Sequence, residues 1–236
     1  MDRDLARRAG TEALGTAFLV AAVIGSGIAA QRLSPHDVGL QLLENSLVTG
    51  AALVALILAL QPVSAAFNPV VTLVETALGA LRVREAATLV CAQVAGGIVG
   101  AITANLMFDL DAVSIASRHR SSGGLWLGEV IATLGLVVLI FGAARTNRSD
   151  RIAYVVGGYI TAAYWFTSST SFANPAVTIA RMFSNTFAGI APSSVGMFVV
   201  MQVVGGALGF VLVRALFPLS SVHLPVVAPA TEEAVS

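Results

Sequence analysis

The chain contains two copies of a short box, Asn-Pro followed by an aliphatic residue, in different halves of a strongly apolar sequence. The first copy is Asn68-Pro69-Val70 and the second is Asn174-Pro175-Ala176. Asn is a favoured N-cap and Pro is favoured at the first helical position, so each box predicts the start of a helix. The apolar segment after each box is too short to cross a bilayer. A half-length helix that begins at bilayer depth is tolerated only where it is buried in protein or lines a watery cavity.

The composition places the chain in a membrane. Hydrophobic residues make up 56% of the sequence and charged residues only 11%, which is unlike an ordinary soluble domain. The formal net charge is zero and the 13 basic residues are all Arg, so no long basic surface for nucleic acid is expected. The single cysteine excludes an intrachain disulfide framework, and the three histidines have no mutual spacing that favours a metal site. We expect an integral membrane protein with no cofactor and no metal.

Six apolar runs are long enough to cross roughly 30 Å of hydrocarbon. They lie at 11–30, 42–60, 86–108, 125–144, 152–170 and 194–217. Two shorter segments, 69–80 and 175–188, follow the boxes and are expected to be re-entrant half-helices. The predicted fold class is an all-α membrane protein with six transmembrane helices and two half-helices. It forms one domain, 1–236, that ends in a tail at 218–236.

Matching residues relate the two halves of the chain. Glu12 in the first run matches Glu129 in the fourth, and Gln93 in the third run matches Gln202 in the sixth. The first repeat covers about 9–110 and the second about 124–217. An odd number of crossings in each repeat gives the copies opposite orientations, an inverted repeat. This relation argues against the alternative that the first run is a cleavable signal peptide.

Arginine placement indicates the orientation of the chain. In a six-crossing arrangement one side of the membrane receives Arg3, Arg7, Arg8, Arg82, Arg84, Arg145, Arg148, Arg151 and Arg214, and the other receives Arg32, Arg118, Arg120 and Arg181. The side richer in arginine is cytoplasmic by the positive-inside rule. We therefore expect a multi-pass protein of the cell (inner) membrane with both termini in the cytoplasm.

Glu12 and Glu129 are costly within a bilayer, and an intramembrane carboxylate is a candidate functional group. One interpretation makes them the proton carriers of a coupled transporter. The other is structural, because re-entrant loops expose backbone N–H groups at depth and a buried carboxylate can accept from them. The structural role is favoured, since the two acids and the two re-entrant segments follow the same repeat. Gln93 and Gln202 are likewise expected to bond a neighbouring helix or the re-entrant backbone.

Together these features resemble the aquaporin and aquaglyceroporin family, also called the major intrinsic proteins. The resemblance rests on the inverted repeat, the paired glutamates and the two boxes, and it covers roughly 11–217. It implies a homotetramer of passive channels, each protomer with its own pore. The half-helices would meet near the midplane with Asn68 and Asn174 facing the lumen. The implied partners are small neutral solutes and the lipid bilayer, and no enzymatic activity is implied.

The sequence departs from the family pattern at the constriction of the pore. Most members carry Arg directly after the second box, where this chain has Val177, and Arg181 lies one helical turn farther on. The first box ends in Val70 where Ala is usual, which is expected to tighten the midplane slightly. The positions that the resemblance assigns to the selectivity filter are Thr49, Ala162 or Ala163, Ser171 or Phe172, and Val177.

The implied filter is wide and lacks arginine. It favours small uncharged solutes such as glycerol, urea and arsenite-like metalloid hydroxides, together with water. The run at 164–170 and Val177 resemble a bacterial branch of aquaglyceroporins associated with arsenic resistance. Two alternatives remain at this point. One is a proton-coupled secondary transporter that uses Glu12 and Glu129, and the other is a structural member of the same fold with a closed pore.

Overall fold

The computed structural model describes residues 3–218, and eight α-helices occur among them. They are α1 (Arg3–Leu33), α2 (Val38–Leu60), α3 (Pro69–Ala77), α4 (Val83–Met107), α5 (Gly123–Arg145), α6 (Ile152–Phe166), α7 (Pro175–Ala180) and α8 (Pro192–Leu216). A short 3-10 turn, Ser149–Arg151, precedes α6, and a second, Arg181–Phe183, follows α7. Apart from Pro218, the predicted tail at 218–236 lies outside the described residues.

Five helices, α1, α2, α4, α5 and α8, are long and apolar enough to cross a membrane. Helix α6 has 15 residues, fewer than the roughly 20 that a perpendicular crossing needs. It packs along α2 and takes the place of the fifth crossing, between α5 and the second half-helix. The run predicted at 152–170 was too long. The chain leaves the helix at Thr167, which is extended, and turns through left-handed conformations at Thr170 and Ser171.

Large apolar side chains are exposed along the outer faces of the crossing helices. Examples are Leu14, Phe18, Leu47, Leu127, Ile131, Trp165 and Val211. Soluble monomers rarely expose extensive apolar patches. These faces are suited to contact with hydrocarbon, as the composition predicts.

The predicted inverted repeat is confirmed by the helix packing. Helix α1 packs most closely on α4, and their repeat equivalents α5 and α8 pack on each other. Both crossings depend on glycine. A Cβ at Gly100 of α4 would overlap the carbonyl oxygen of Ala17, and one at Gly205 of α8 would lie 2.5 Å from the carbonyl oxygen of Val130. Small residues allow such close backbone approach where no hydrophobic effect drives helices together.

Glu12 of α1 holds the loop before the first half-helix. Its carboxylate accepts the backbone N–H groups of Ala66 at 2.9 Å and Phe67 at 2.7 Å, and also the Ser64 hydroxyl. The side-chain amide of Gln93 on α4 donates to the same carboxylate at 2.8 Å. The glutamate is fully buried. The four donors therefore replace the water that would otherwise solvate its charge.

Glu129 of α5 repeats this arrangement around the second half-helix. It accepts the backbone N–H groups of Phe172 and Ala173, both at 2.9 Å, and the side-chain amide of Gln202 at 2.6 Å. It is also fully buried. Each re-entrant loop thus has a carboxylate that accepts hydrogen bonds from its buried backbone N–H groups, which water would not solvate. These contacts are the ones that a structural role for the two glutamates requires.

A pair of alanine substitutions in α8 tests the glycine packing. We expect Gly205→Ala to destabilise the protein by about 1–3 kcal/mol, because the added methyl group overpacks the contact with α5. Gly196 lies in the same helix, and a Cβ atom added there would have nothing within 4 Å. Gly196→Ala is expected to be neutral or slightly stabilising, since Ala is the better helix former. Thermal unfolding of both purified proteins in detergent measures the difference, and equal melting temperatures would contradict the packing account.

Removing the second carboxylate tests the support of the re-entrant loop. We expect Glu129→Ala to cost about 1–3 kcal/mol for each of the two backbone donors that it leaves without an acceptor. The control is Asp111→Ala, which removes an exposed carboxylate. Thermal unfolding should show a lower midpoint or little folded protein for Glu129→Ala only. If both variants melt like the wild type, Glu129 does not hold the loop.

Candidate functional site

Each box begins a half-helix, as its residues predict. The Oδ1 atom of Asn68 accepts the backbone N–H of Val70 at 3.0 Å. The Oδ1 atom of Asn174 accepts the N–H groups of Ala176 at 3.0 Å and Val177 at 3.3 Å. Both asparagines have extended backbones, and proline follows at the first helical position. The caps satisfy N–H groups that have no partner within the helix.

The same two asparagines join the two repeats. The Nδ2 atom of Asn68 donates to the carbonyl oxygen of Ala173 at 2.8 Å, and that of Asn174 donates to the carbonyl oxygen of Phe67 at 2.7 Å. Each amide therefore bonds the residue directly before the other box, so the N-termini of α3 and α7 meet. An Asn amide carries two N–H donors. One on each side chain remains for a molecule in the lumen.

Phe67 and Ala173 adopt backbone conformations that are rare for residues with a side chain. Their φ angles are 46° and 48°, in the left-handed region, at a cost of order 1–3 kcal/mol each. Glu12 and Glu129 hold their N–H groups, and the opposite asparagines hold their carbonyl groups. Hydrogen bonds to the N–H group and to the carbonyl group of each residue therefore hold it in the strained conformation. Neither Phe nor Ala signals a left-handed bend, so this pair could not be identified from sequence.

A cavity passes the meeting point of the half-helices. Its polar lining includes Thr49, Gln61, Asn68, Tyr164, Ser171 and Asn174, and its apolar lining includes Leu53, Ile57, Leu136, Ile140, Val156 and Ile160. The space open to the centres of water molecules is about 80 Å³. One water needs roughly 10–15 Å³ by this measure, so several waters fit along the cavity.

The predicted filter residues are only partly brought together. Thr49, Ser171, Phe172 and Val177 lie on the cavity wall. In α6, Ala162 is exposed and Ala163 is buried, and neither lies on the cavity wall, so their place in the filter stays a prediction. Tyr164 lines the cavity instead, with its hydroxyl oxygen 3.1 Å from Oγ1 of Thr49.

Within the boxes, only the asparagines reach the cavity. Pro69, Val70, Pro175 and Ala176 are buried behind them. The side chain of Val70 packs against Gly206 of α8, where a Cβ atom would overlap it. The expectation that Val70 tightens the midplane of the pore thus stays a prediction, and Val70 is buried and not on the cavity wall. Its extra bulk is accommodated by a glycine in the neighbouring helix.

The cavity wall contains an arginine beyond Val177, at a position whose role the sequence leaves open. Arg181, at the C-terminal end of α7, is 3% exposed, and its guanidinium carbon lies 3.5 Å from the centroid of the Phe172 ring. Its Nε atom donates to the carbonyl oxygen of Ala188. A cation over an aromatic face is attracted by the ring quadrupole. The hydrogen bond and the ring together fix the guanidinium beside the cavity.

A second arginine contacts the same ring. The guanidinium carbon of Arg120, in the loop between α4 and α5, lies 4.9 Å from the Phe172 centroid, and its Nε donates to the carbonyl oxygen of Gly189 at 3.1 Å. Burial, followed by the charges of Arg181 and Arg118, lowers the pKa of Arg120. A guanidinium nevertheless stays protonated near neutral pH. Arg120 belongs to no motif, so it could not be assigned to the site from sequence.

Glu12 and Glu129 do not line the cavity. All four of their carboxylate oxygens accept hydrogen bonds from loop or glutamine donors. A proton carrier needs access to the solutions on both sides of the membrane. The arrangement does not favour the proton-coupled transporter.

Comparison with known proteins agrees with this geometry. The sequence matches the family model of the major intrinsic proteins over residues 2–166. It is 49% identical over 214 residues to "Aquaglyceroporin AqpS" of Rhizobium meliloti (strain 1021), covering 90% of this chain and 91% of that protein. The fold is similar to the X-ray structure of the aquaglyceroporin from Plasmodium falciparum, with a TM-score of 0.71 and 19% identity. That match covers 91% of this chain and 98% of the other.

These matches extend over most of the chain and agree with the paired half-helices and the cavity beside them. The chain is an integral, multi-pass membrane protein that belongs to the major intrinsic protein family, as an aquaglyceroporin-like channel for small solutes and not an enzyme.

Proposed function

We propose that the channel is passive and conducts small uncharged solutes: glycerol, urea, neutral metalloid hydroxides such as arsenite, and water. The observation that carries the proposal is the meeting of two helix N-termini beside the cavity. Each N-terminus carries roughly half a positive charge from its backbone dipoles. Two of them at one point repel protons and other cations. A neutral solute does not meet this barrier, and free N–H donors of Asn68 and Asn174 can replace its lost hydrogen bonds to water.

The chemistry of the wall supports solutes that carry both hydroxyl and hydrocarbon groups. Helices α2, α5 and α6 contribute the apolar side chains, while the boxes and the loops before them contribute amide, hydroxyl and carbonyl groups. A polyol such as glycerol can direct its C–H groups toward the first set and its hydroxyl groups toward the second. The name of the relative from Rhizobium meliloti, an aquaglyceroporin, points to the same solute class.

For the selectivity filter we propose a ring that contains Thr49, Tyr164, Phe172, Val177 and Arg181. Val177 occupies the position directly after the box and contributes no charge. Arg181 would supply the positive charge from about one turn, roughly 5.4 Å, farther along α7. Displacing the guanidinium in this way would leave more room beside the box than an arginine at position 177. More room favours solutes larger than water.

The assembly and its orientation are also part of the proposal. The arginine distribution supports an inner-membrane protein with both termini in the cytoplasm. The family resemblance supports a homotetramer in which every protomer has its own pore. In this orientation α3 runs from the midplane toward the cytoplasm and α7 runs toward the outside.

A solute panel tests the proposed function. Purified protein in proteoliposomes is exposed in turn to osmotic, glycerol, urea and arsenite gradients, and the fluxes are followed by stopped-flow light scattering. We expect glycerol and at least one of the other solutes to enter faster than in protein-free vesicles. Fluxes equal to those of protein-free vesicles would contradict the channel and favour the closed-pore alternative.

A substitution at Val177 tests the proposed filter. Val177→Arg adds a cation with five N–H donors beside the second box, which reduces the cross-section and favours water over larger solutes. We expect the glycerol flux to fall severalfold while the water flux falls less. Val177→Leu is the matched control, since it adds bulk without charge or donors. If neither flux changes in Val177→Arg, then Val177 does not line the constriction, and equal losses mean that the pore is merely blocked.

A further inference from the structure

Among the described residues that line the cavity, one is acidic, Glu75. It lies seven residues after Asn68, in the last turn of α3 (Pro69–Ala77). At about 1.5 Å per residue, this places it roughly 10 Å from the midplane along the half-helix. In the proposed orientation α3 runs toward the cytoplasm, so Glu75 belongs to the inner half of the pore.

The carboxyl group of Glu75 is buried but open to the cavity. The residue is 5% exposed, and both carboxyl oxygens can be reached from the cavity. No hydrogen bond or ion pair joins them to any residue in 3–218. Buried polar groups are normally hydrogen-bonded, and each exception needs an explanation. The molecules that pass through the cavity are the partners that remain for this group.

Near neutral pH the Glu75 carboxyl group is mostly uncharged. The residue lies on a half-helix that does not itself cross the membrane. Burial, followed by the charge of Glu12, raises its pKa to about 8, and Arg8 lowers it by a smaller amount. The C-terminal turn of a helix also carries partial negative charge, which disfavours a carboxylate. A protonated carboxyl group has an O–H donor as well as acceptor oxygens.

The other ionisable groups around α3 do not alter this state. Helices α4, α7 and α8 pack on α3. The ionisable residues that these helices carry are Arg84, Glu85 and Cys91 on α4 and Arg214 on α8. None of them is among the charges that shift the pKa of Glu75. The carboxyl group is therefore a hydrogen-bond donor near neutral pH and becomes an anion only in alkaline solution.

The inner half of the cavity wall has few side chains that can donate a hydrogen bond. Helices α2, α5 and α6 contribute apolar side chains there, such as Ile57 and Ile140. The loop before the first box contributes backbone carbonyl groups, which are acceptors. Beyond Asn68 at the midplane, the side-chain donors that the described residues place on the inner wall are Gln61 and Glu75.

A polyol depends on such donors more than water does. A glycerol molecule that fills the cross-section leaves its hydration shell behind, so the wall has to replace the hydrogen bonds that its hydroxyl oxygens accepted. Water molecules in a file keep hydrogen bonds to one another. We propose that Glu75 is a specificity-determining residue whose neutral carboxyl group donates to the hydroxyl groups of passing solutes and favours their conduction over that of water. The inference rests on the proposed function, since it needs a pore that conducts polyols.

Three proteins in proteoliposomes test the inference: wild type, Glu75→Gln and Glu75→Met. Gln keeps a donor and an acceptor but cannot ionise, whereas Met is of similar length and has no donor. The glycerol and water permeabilities of each protein are measured by stopped-flow light scattering. The measurements are made at about pH 6.5 and about pH 9.5, on either side of the pKa of Glu75.

At the lower pH we expect Glu75→Gln to keep the wild-type ratio of glycerol to water permeability. In Glu75→Met this ratio should fall about fivefold, the effect of losing one hydrogen bond of average strength. At the higher pH the ratio should fall by a similar factor in wild type, because the carboxylate has lost its O–H donor and binds water tightly. The ratio in Glu75→Gln should not depend on pH.

A wild-type ratio that does not depend on pH would overturn the inference. An equal pH dependence in Glu75→Gln would also overturn it, since groups other than Glu75 would then be responsible. Equal losses of glycerol and water permeability in assembled Glu75→Met would mean that the residue only shapes the pore, which contradicts the inference as well. If little Glu75→Met protein assembles, the pH dependence of wild type against Glu75→Gln decides by itself.

The glycerol permeability of wild type separates these outcomes from a failure of the proposed function. In each of them wild-type vesicles would still conduct glycerol, and the proposed function would stand. Wild-type vesicles without glycerol influx would instead contradict the proposed function, and this inference with it.

Discussion

The structure depends on two buried carboxylates that accept the backbone N–H groups of two re-entrant loops. A peptide group that loses water without gaining a partner costs several kcal/mol, so a chain cannot reverse at bilayer depth unless the protein supplies acceptors. Glu12 and Glu129 supply them at Phe67 and Ala173, the left-handed residues that direct the chain into each box. Without these bonds the half-helices could not begin at the midplane.

The cross-repeat bonds of the asparagines carry this arrangement from fold to function. Each asparagine caps its own half-helix with Oδ1 and binds the opposite loop with Nδ2. The two helix dipoles are therefore held against each other, although their mutual repulsion would separate them. The hydrogen bonds that join the repeats thus keep the two positively charged helix N-termini together beside the cavity. On the proposed function, a neutral solute would meet this region as a set of hydrogen-bond donors, and a cation would meet it as a barrier.

How much of this could be predicted from sequence depends on whether the signal is local. The boxes, the glutamates and the inverted repeat were predictable, because capping chemistry and matching residues are visible in the chain itself. The residues of the selectivity filter were less predictable. Tyr164 lines the cavity from α6, and which face of that helix turns inward depends on its packing against α2, a tertiary contact. Arg120 reaches Phe172 from a distant loop, a contact that only tertiary structure creates.

We propose that solutes diffuse through the cavity while the buried glutamates serve only as supports. It is tested most directly by the dependence of glycerol influx on the glycerol gradient in proteoliposomes, with and without a protonophore. For a passive channel we expect an initial rate that rises linearly with the gradient and is unchanged by the protonophore. A rate that saturates and collapses when the proton gradient is dissipated would contradict it, and would favour the proton-coupled alternative.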